Sequence, residues 1–352
     1  MLQPGRLLIA GACLLLGCTT RRDAPTATPR LELLGHCKFA SCWPAPEGPP
    51  ANVVSICFGA NSELFVAFFY RGVAQFEIGP SNELRYSRMA FDSDEHESEA
   101  PLVVDVSRSG KLCAIGTVLG NIYVIDAQSG TQIKVISPLV VGDAARRRAI
   151  SYLRWLGESA LIYRNEAGDI GRVGLADEKV AWRLFDQHGR YPYLQRAGGA
   201  VLLPRNGLGK SQLIGLERGE TLWEDGSAGD QRGDVCYGAT DEMSSRWIEM
   251  SRNNGRGWCG SVGGPRYAVS GREVCGGVVW VPGTTCAFAM SESEVIVIDS
   301  SSGAIAQRIR SEEPLEGSDY GSDLSIARGR KGALLAVVER NGVALFQVGR
   351  GD

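Results

Sequence analysis

Histidine is scarce, with His36, His96 and His188 the three among 352 residues. None stands in a His-Glu-x-x-His or Cys-x-x-Cys arrangement, so zinc chemistry has no support and no metal is expected. No Gly-x-Ser-x-Gly turn occurs. Gly209-Lys210-Ser211 ends like a phosphate-binding loop, but Pro204 occupies the position that the loop's first glycine requires. Long stretches with helical periodicity are few, and the longest apolar run near the start, Leu7 to Leu16, is too short to span a bilayer. Charge is nearly balanced at 37 Lys and Arg against 40 Asp and Glu, for a net charge of -3. These charges are spread along the chain and make no basic face, which argues against a nucleic-acid partner. No catalytic residue and no cofactor is assigned.

Arg6, the apolar run and then Leu15-Leu16-Gly17-Cys18 form the arrangement read by bacterial lipoprotein signal peptidases. Cleavage before Cys18 leaves residues 1–17 as a signal peptide and Cys18 as the lipidated residue. The expectation is an anchored protein of the bacterial cell envelope, in the outer membrane facing the periplasm or on the cell surface, held to the bilayer by its acyl chains. Residues 18–50, rich in Thr, Pro and Ala, read as a tether, apart from the apolar island Leu31 to Leu34.

Residues 51–352 repeat. Gly120-Asn-Ile-Tyr-Val-Ile-Asp126-Ala-Gln-Ser-Gly130 matches Glu294-Val-Ile-Val-Ile-Asp299-Ser-Ser-Ser-Gly303, each an apolar strand closed by an Asp and a turn ending in Gly. The carboxylate accepts N–H groups within the turn, and Gly supplies the positive φ of the reversal. Markers at Val73, Ile122, Ile170, Leu213, Val295 and Val343 are separated by 49, 48, 43, 82 and 48 residues. The long gap accommodates one degenerate unit near residue 254. About seven units of this length, each preceded by two almost continuously apolar strands, predict an all-β fold. The architecture expected is a single β-propeller of four-stranded blades. The last unit lacks room for its outer strand, so residues 31–34 are expected to supply it and close the ring.

Leu175-Ala-Asp-Glu-Lys-Val-Ala-Trp182 and Leu216-Glu-Arg-Gly-Glu-Thr-Leu-Trp223 resemble the tryptophan-docking turns of pyrroloquinoline-quinone-like propellers, and Val104 to Asp126 resembles a WD-type repeat. The resemblance covers about residues 51–352 and implies a propeller. Quinoprotein dehydrogenases of that superfamily place two adjacent cysteines beside the cofactor, and this chain has no adjacent pair. The chain is more similar to the anchored, non-catalytic propeller lipoproteins of the outer-membrane β-barrel assembly machinery, although those have eight blades.

Corresponding turns carry Arg71, Arg164, Arg205, Arg252 and Arg340, several beside Asn-Gly. Asn-Gly is hairpin chemistry with Arg as a solvated flank, or the guanidinium groups form a broken ring able to grip an anion or a partner's carboxylates. Inter-blade connections are mostly acidic, including Asp92 to Glu99 and Glu312 to Asp323, with Arg146-Arg147-Arg148 the basic exception. Cys37 with Cys42, and Cys236 with Cys259, are the candidate disulfides, whereas Cys113 and Cys286 fall on equivalent strands of different blades and read as buried thiols. The function expected is a binding or scaffold module whose partner is an envelope protein or glycan. The alternatives are a hydrolase or lyase with its acids converging in the central funnel, and a small-anion sensor.

Overall fold

Runs that are apolar on both faces become the first three strands of four-stranded antiparallel sheets, and each sheet's outermost strand is the more polar one. Glu63–Phe68 and Leu112–Thr117 are buried at all but their first residue, whereas Ala304–Arg310 alternates between exposed and half-buried. The computed structural model describes residues 29–44, 52–60, 63–96, 99–138, 148–185, 196–197, 200–203, 211–225, 236–241, 245–251, 256–270, 277–291, 293–311, 313–315, 324–329 and 332–350.

Strand β1 is Pro29–Lys38. The first sheet is β2–β5 (Val53–Phe58, Glu63–Phe68, Gly72–Ile78, Leu84–Asp92), and the second is β6–β9 (Pro101–Val106, Leu112–Thr117, Ile122–Asp126, Gln132–Ile136). The third is β10–β13 (Ile150–Leu156, Ala160–Asn165, Asp169–Gly174, Val180–Phe185), and the fourth is β14–β17 (Arg196–Ala197, Ala200–Leu203, Ser211–Gly215, Thr221–Asp225). The fifth is β18–β21 (Cys236–Thr240, Arg246–Ser251, Arg256–Ser261, Arg266–Ser270), and the sixth is β22–β25 (Val278–Trp280, Cys286–Met290, Glu294–Asp299, Ala304–Arg310). The seventh takes β26–β28 (Leu324–Gly329, Gly332–Glu339, Gly342–Arg350) and adds β1 outside β28. The degenerate unit expected near residue 254 is the fifth sheet. This is a single β-propeller of four-stranded blades.

Apolar clusters lie between successive sheets, which is why no sheet has a clean alternating pattern. Phe65 and Phe91 of the first sheet meet Ile115 and Ile125 of the second, and Ile162 of the third meets Ile214 of the fourth. Phe288 of the sixth meets Phe346 of the seventh, and Leu345 of the seventh meets Phe76 of the first. The innermost strands also bond sideways. Val104 N–H donates to Ser55 Oγ at 3.3 Å, Trp155 N–H to Asp105 Oδ2 at 2.8 Å, and Phe58 N–H to Ser325 Oγ at 3.2 Å. Arg154 Nη1 completes the group on Asp105 Oδ1 at 2.8 Å.

The stretch read as a tether is more than that. β1 pairs with β28 from Pro29 opposite Arg350 to Lys38 opposite Gly342, with a bulge at Leu34, so the strand is longer than the four residues expected to fill this edge. The 3-10 turn Phe39–Ser41 follows, and the Phe39 ring is 2% exposed between the seventh and first sheets. It lies 5.3 Å from Phe68 and 5.5 Å from Phe76, and Trp43 lies 5.1 Å from Tyr86. Burying a ring of this size contributes about 2–3 kcal/mol.

Outer strands are tied to the next sheet by one recurrent contact. Arg88 Nη2 in β5 donates to Ala127 O at 2.6 Å, Lys134 Nζ in β9 donates to Leu175 O, and Trp182 Nε1 in β13 donates to Leu216 O at 3.0 Å. The acceptors occupy the same place in successive turns. The donors sit opposite Gln75, Val124 and Arg172, each beside a bulge in the pairing that turns the side chain out of its own sheet. Gly219 is required beneath Trp182, since its φ is +72° and an added Cβ would lie 2.7 Å from the indole.

Candidate binding face

The turns between second and third strands, together with the connections from one sheet to the next, form the upper face. Sequence reasoning placed five arginines here. Arg71 is 45% exposed and lies 3.9 Å from Asp94, which is 74% exposed. Arg340 is exposed, and its N–H donates to Pro314 O at 3.1 Å. Arg164 is different: it is 2% exposed. It follows Ile162 by two residues along β11 and so faces the fourth sheet instead of solvent. Arg71 and Arg340 therefore present guanidinium groups to solvent on this face, whereas Arg164 is drawn into packing. Arg205 and Arg252 lie outside the described residues, as does Cys18.

Exposed apolar side chains that sequence reasoning missed join the two arginines. Tyr70, 71% exposed, sits at the tip of the first sheet's turn, and Leu119, 56% exposed, sits at the tip of the second's. Tyr70 has φ +69°, an uncommon conformation for a bulky residue and one that Asn or Gly occupies at lower cost. The turn therefore keeps an aromatic ring in water at a backbone cost of about 1 kcal/mol. The signal was legible as Phe69-Tyr70-Arg71-Gly72, where related turns have Asn-Gly.

Several carboxylates on the same face are committed to the fold. Glu99, 5% exposed, accepts from Thr117 Oγ1, from Asn121 Nδ2 at 2.6 Å and from Tyr123 OH at 3.0 Å, bracing the connection between sheets against a turn. His96 stacks on Phe91 with ring centroids 4.4 Å apart, 5.0 Å from Tyr123. Asp169 accepts from Asn165 Nδ2 at 3.1 Å, and Glu294 accepts from Arg308 Nη1 at 2.9 Å. Glu339 takes His36 Nδ1 at 2.7 Å and Ser311 Oγ at 3.0 Å, and Ser211 Oγ donates to Glu249. The Tyr163 hydroxyl is pushed up by burial, against the opposing pull of Arg183. Each of these carboxylates, Glu99, Asp169, Glu294, Glu339 and Glu249, is engaged by neighbouring donors.

The cysteine expectations change. Cys259 is a free buried thiol, and pairing with Cys236 is excluded by register: Cys236 opposes Ser251 on one side of β19, and Cys259 opposes Ile248 on the other. Two strand spacings of about 4.8 Å already exceed the reach of a disulfide. The Cys236 side chain itself lies outside the described residues. Cys37 and Cys42 are free thiols too, with Cys37 Sγ donating to Asn82 O at 3.1 Å and Cys42 Sγ to Phe39 O at 3.4 Å. Cys113 and Cys286 are buried and free. No group of three or more His, Cys, Asp or Glu side chains among the described residues is arranged to hold a metal ion. No helix among them is long and apolar enough to cross a membrane.

No family's sequence profile matches this chain, and no curated protein matches it. Solved structures do match, and 1606 chains do so, a breadth that identifies a common architecture and no particular activity. One of them, from a structure described as the crystal structure of the mitotic checkpoint complex, aligns over 100% of both chains with a TM-score of 0.64 at 14% identity. At that identity the likeness is one of fold alone.

Proposed function

We propose that this chain is a lipid-anchored, extracytoplasmic β-propeller whose seven sheets are successive blades of one ring closed by β1, and that it acts as a non-catalytic binding or scaffold module. Its partner on this reading is another envelope protein or a glycan, bound on the upper face. The observation that carries the reading is the exposure of Tyr70 at positive φ beside Arg71, with Leu119 on the neighbouring turn. Aromatic and arginine side chains dominate binding energy at protein interfaces, and strained exposed residues concentrate where proteins bind. Engagement of Glu99, Glu294 and Glu339 in the fold favours binding over funnel chemistry. The Leu15-Leu16-Gly17-Cys18 sequence supports the anchor and the envelope location.

Photo-crosslinking tests the reading. A crosslinking residue at position 70 or 119 is expected to give a discrete adduct in intact cells, while one at the lower-face residue Lys179 gives none. Adducts from position 179 alone would reject the upper face. Cys18→Ala is expected to abolish incorporation of labelled fatty acid, and persistence of the label would reject the anchor.

A further inference from the structure

Two free thiols bracket the aromatic plug that joins the seventh and first sheets. Cys37 is near the end of β1, Cys42 follows the 3-10 turn, and Phe39 lies between them. The turn folds the chain back on itself, because the N–H groups of Cys42 and Trp43 both donate to Phe39 O, at 3.1 and 2.9 Å. Both cysteines are half-buried against the same cluster that holds Phe39, whereas Cys57, Cys113, Cys259 and Cys286 are buried. Burial raises both the Cys37 and the Cys42 thiol.

We propose that Cys37 and Cys42 form a reversible disulfide that staples the Phe39 turn and makes the joint between the seventh and first sheets sensitive to redox conditions. Glutathione disulfide is a sufficient oxidant. One cysteine thiolate attacks a glutathione sulfur and releases one glutathione thiolate, and the second cysteine then attacks the mixed disulfide, forming the protein S–S bond and releasing the other. Two protein S–H bonds are lost and two glutathione thiols are gained. The reaction exchanges the Cys37 hydrogen bond to Asn82 O for a covalent closure around Phe39. The proposal does not depend on the upper face or on lipidation.

The test uses the whole protein equilibrated in glutathione buffers from reducing to oxidising, quenched with an alkylating agent and mapped by mass spectrometry. The expected result is a Cys37–Cys42 linkage that appears as the buffer becomes oxidising, with a rise of about 2–4 °C in the thermal midpoint. Cys42→Ser is expected to lose that rise, leaving Cys37 alkylated or joined to glutathione. Alkylation of both cysteines in every buffer would overturn the proposal, as would a linkage of Cys37 to another cysteine or an unchanged midpoint once the bond has formed.

Discussion

Gln307 exchanges both ends of its amide with the backbone of Leu31, 276 residues away. Leu31 N–H donates to Oε1 at 2.9 Å, and Nε2 donates to Leu31 O at 3.1 Å. Gln307 stands opposite Val297 beside a bulge, as Lys134 stands opposite Val124, so it occupies the tie position of the sixth sheet. Its acceptor is in β1. Arg, Lys, Trp and Gln thus perform one task at equivalent places, and the shared requirement is a donor long enough to reach the next sheet's carbonyl.

Gln307→Ala removes both bonds and leaves the Leu31 groups dependent on water. The expected loss is about 1–2 kcal/mol of unfolding free energy, read as a lower urea midpoint with an unchanged slope. An unchanged midpoint would show that the tie contributes nothing to holding β1.

Gly219→Ala places a methyl group against the Trp182 indole at a residue with positive φ and is expected to destabilise by about 1–3 kcal/mol. In a Trp182→Ala background the clash disappears and the cost should fall to the backbone contribution of about 1 kcal/mol. A double-mutant cycle measures the difference, and strict additivity would refute the docking contact.

Much of this architecture was legible. The Asp-to-Gly turns at 126–130 and 299–303 located third strands, and apolar runs located first and second strands, because burial on both faces leaves a pattern in composition. Apart from Trp182, whose docking turn the resemblance singled out, the ties were not legible. Arg88, Lys134 and Gln307 have no common chemistry, and a bulge has no fixed sequence mark. Arg164 was misplaced because turn residues and strand ends look alike in sequence, yet two residues along β11 decide between solvent and a neighbouring sheet. The Cys236 and Cys259 pairing failed because register across β19 is fixed by packing, which spacing does not reveal.

Acid should act on the turns. Burial opposes ionisation of Asp299, but bonds from Ser301 N–H and from the hydroxyls of Ser301, Thr285 and Ser302 outweigh it and hold the carboxyl below the usual range. A depressed folded-state value means that the contribution is present above the ordinary Asp value of about 3.9 and is lost as pH falls through the folded value. Asp299→Ala is expected to cost about 1–2 kcal/mol at neutral pH. The gap from wild type should shrink on acidification below about pH 4, and a constant gap in acid urea titrations would contradict this.

Alkali should act on the core. Burial pushes the Cys286 thiol up to about 11 and the Cys259 thiol up to about 12, each reinforced by Asp299. Raised folded-state values favour the protonated thiols in the native protein. That stability is complete below the unfolded value of 9.0 and is lost as pH climbs toward 11–12. The urea midpoint is expected to decline across that window, less steeply in Cys286→Ala, and identical slopes would exclude the buried thiol as a cause.

Pairing β1 with β28 also sets an order of events during synthesis. The strand leaves the ribosome before its neighbour at residues 342–350 exists, and must wait through nearly the entire translation of the sheets between them. A lone strand with two open edges invites association with other chains. Glu32, Gly35, His36 and Lys38, spaced along it, give the waiting segment the polarity and weak strand preference that discourage premature partners.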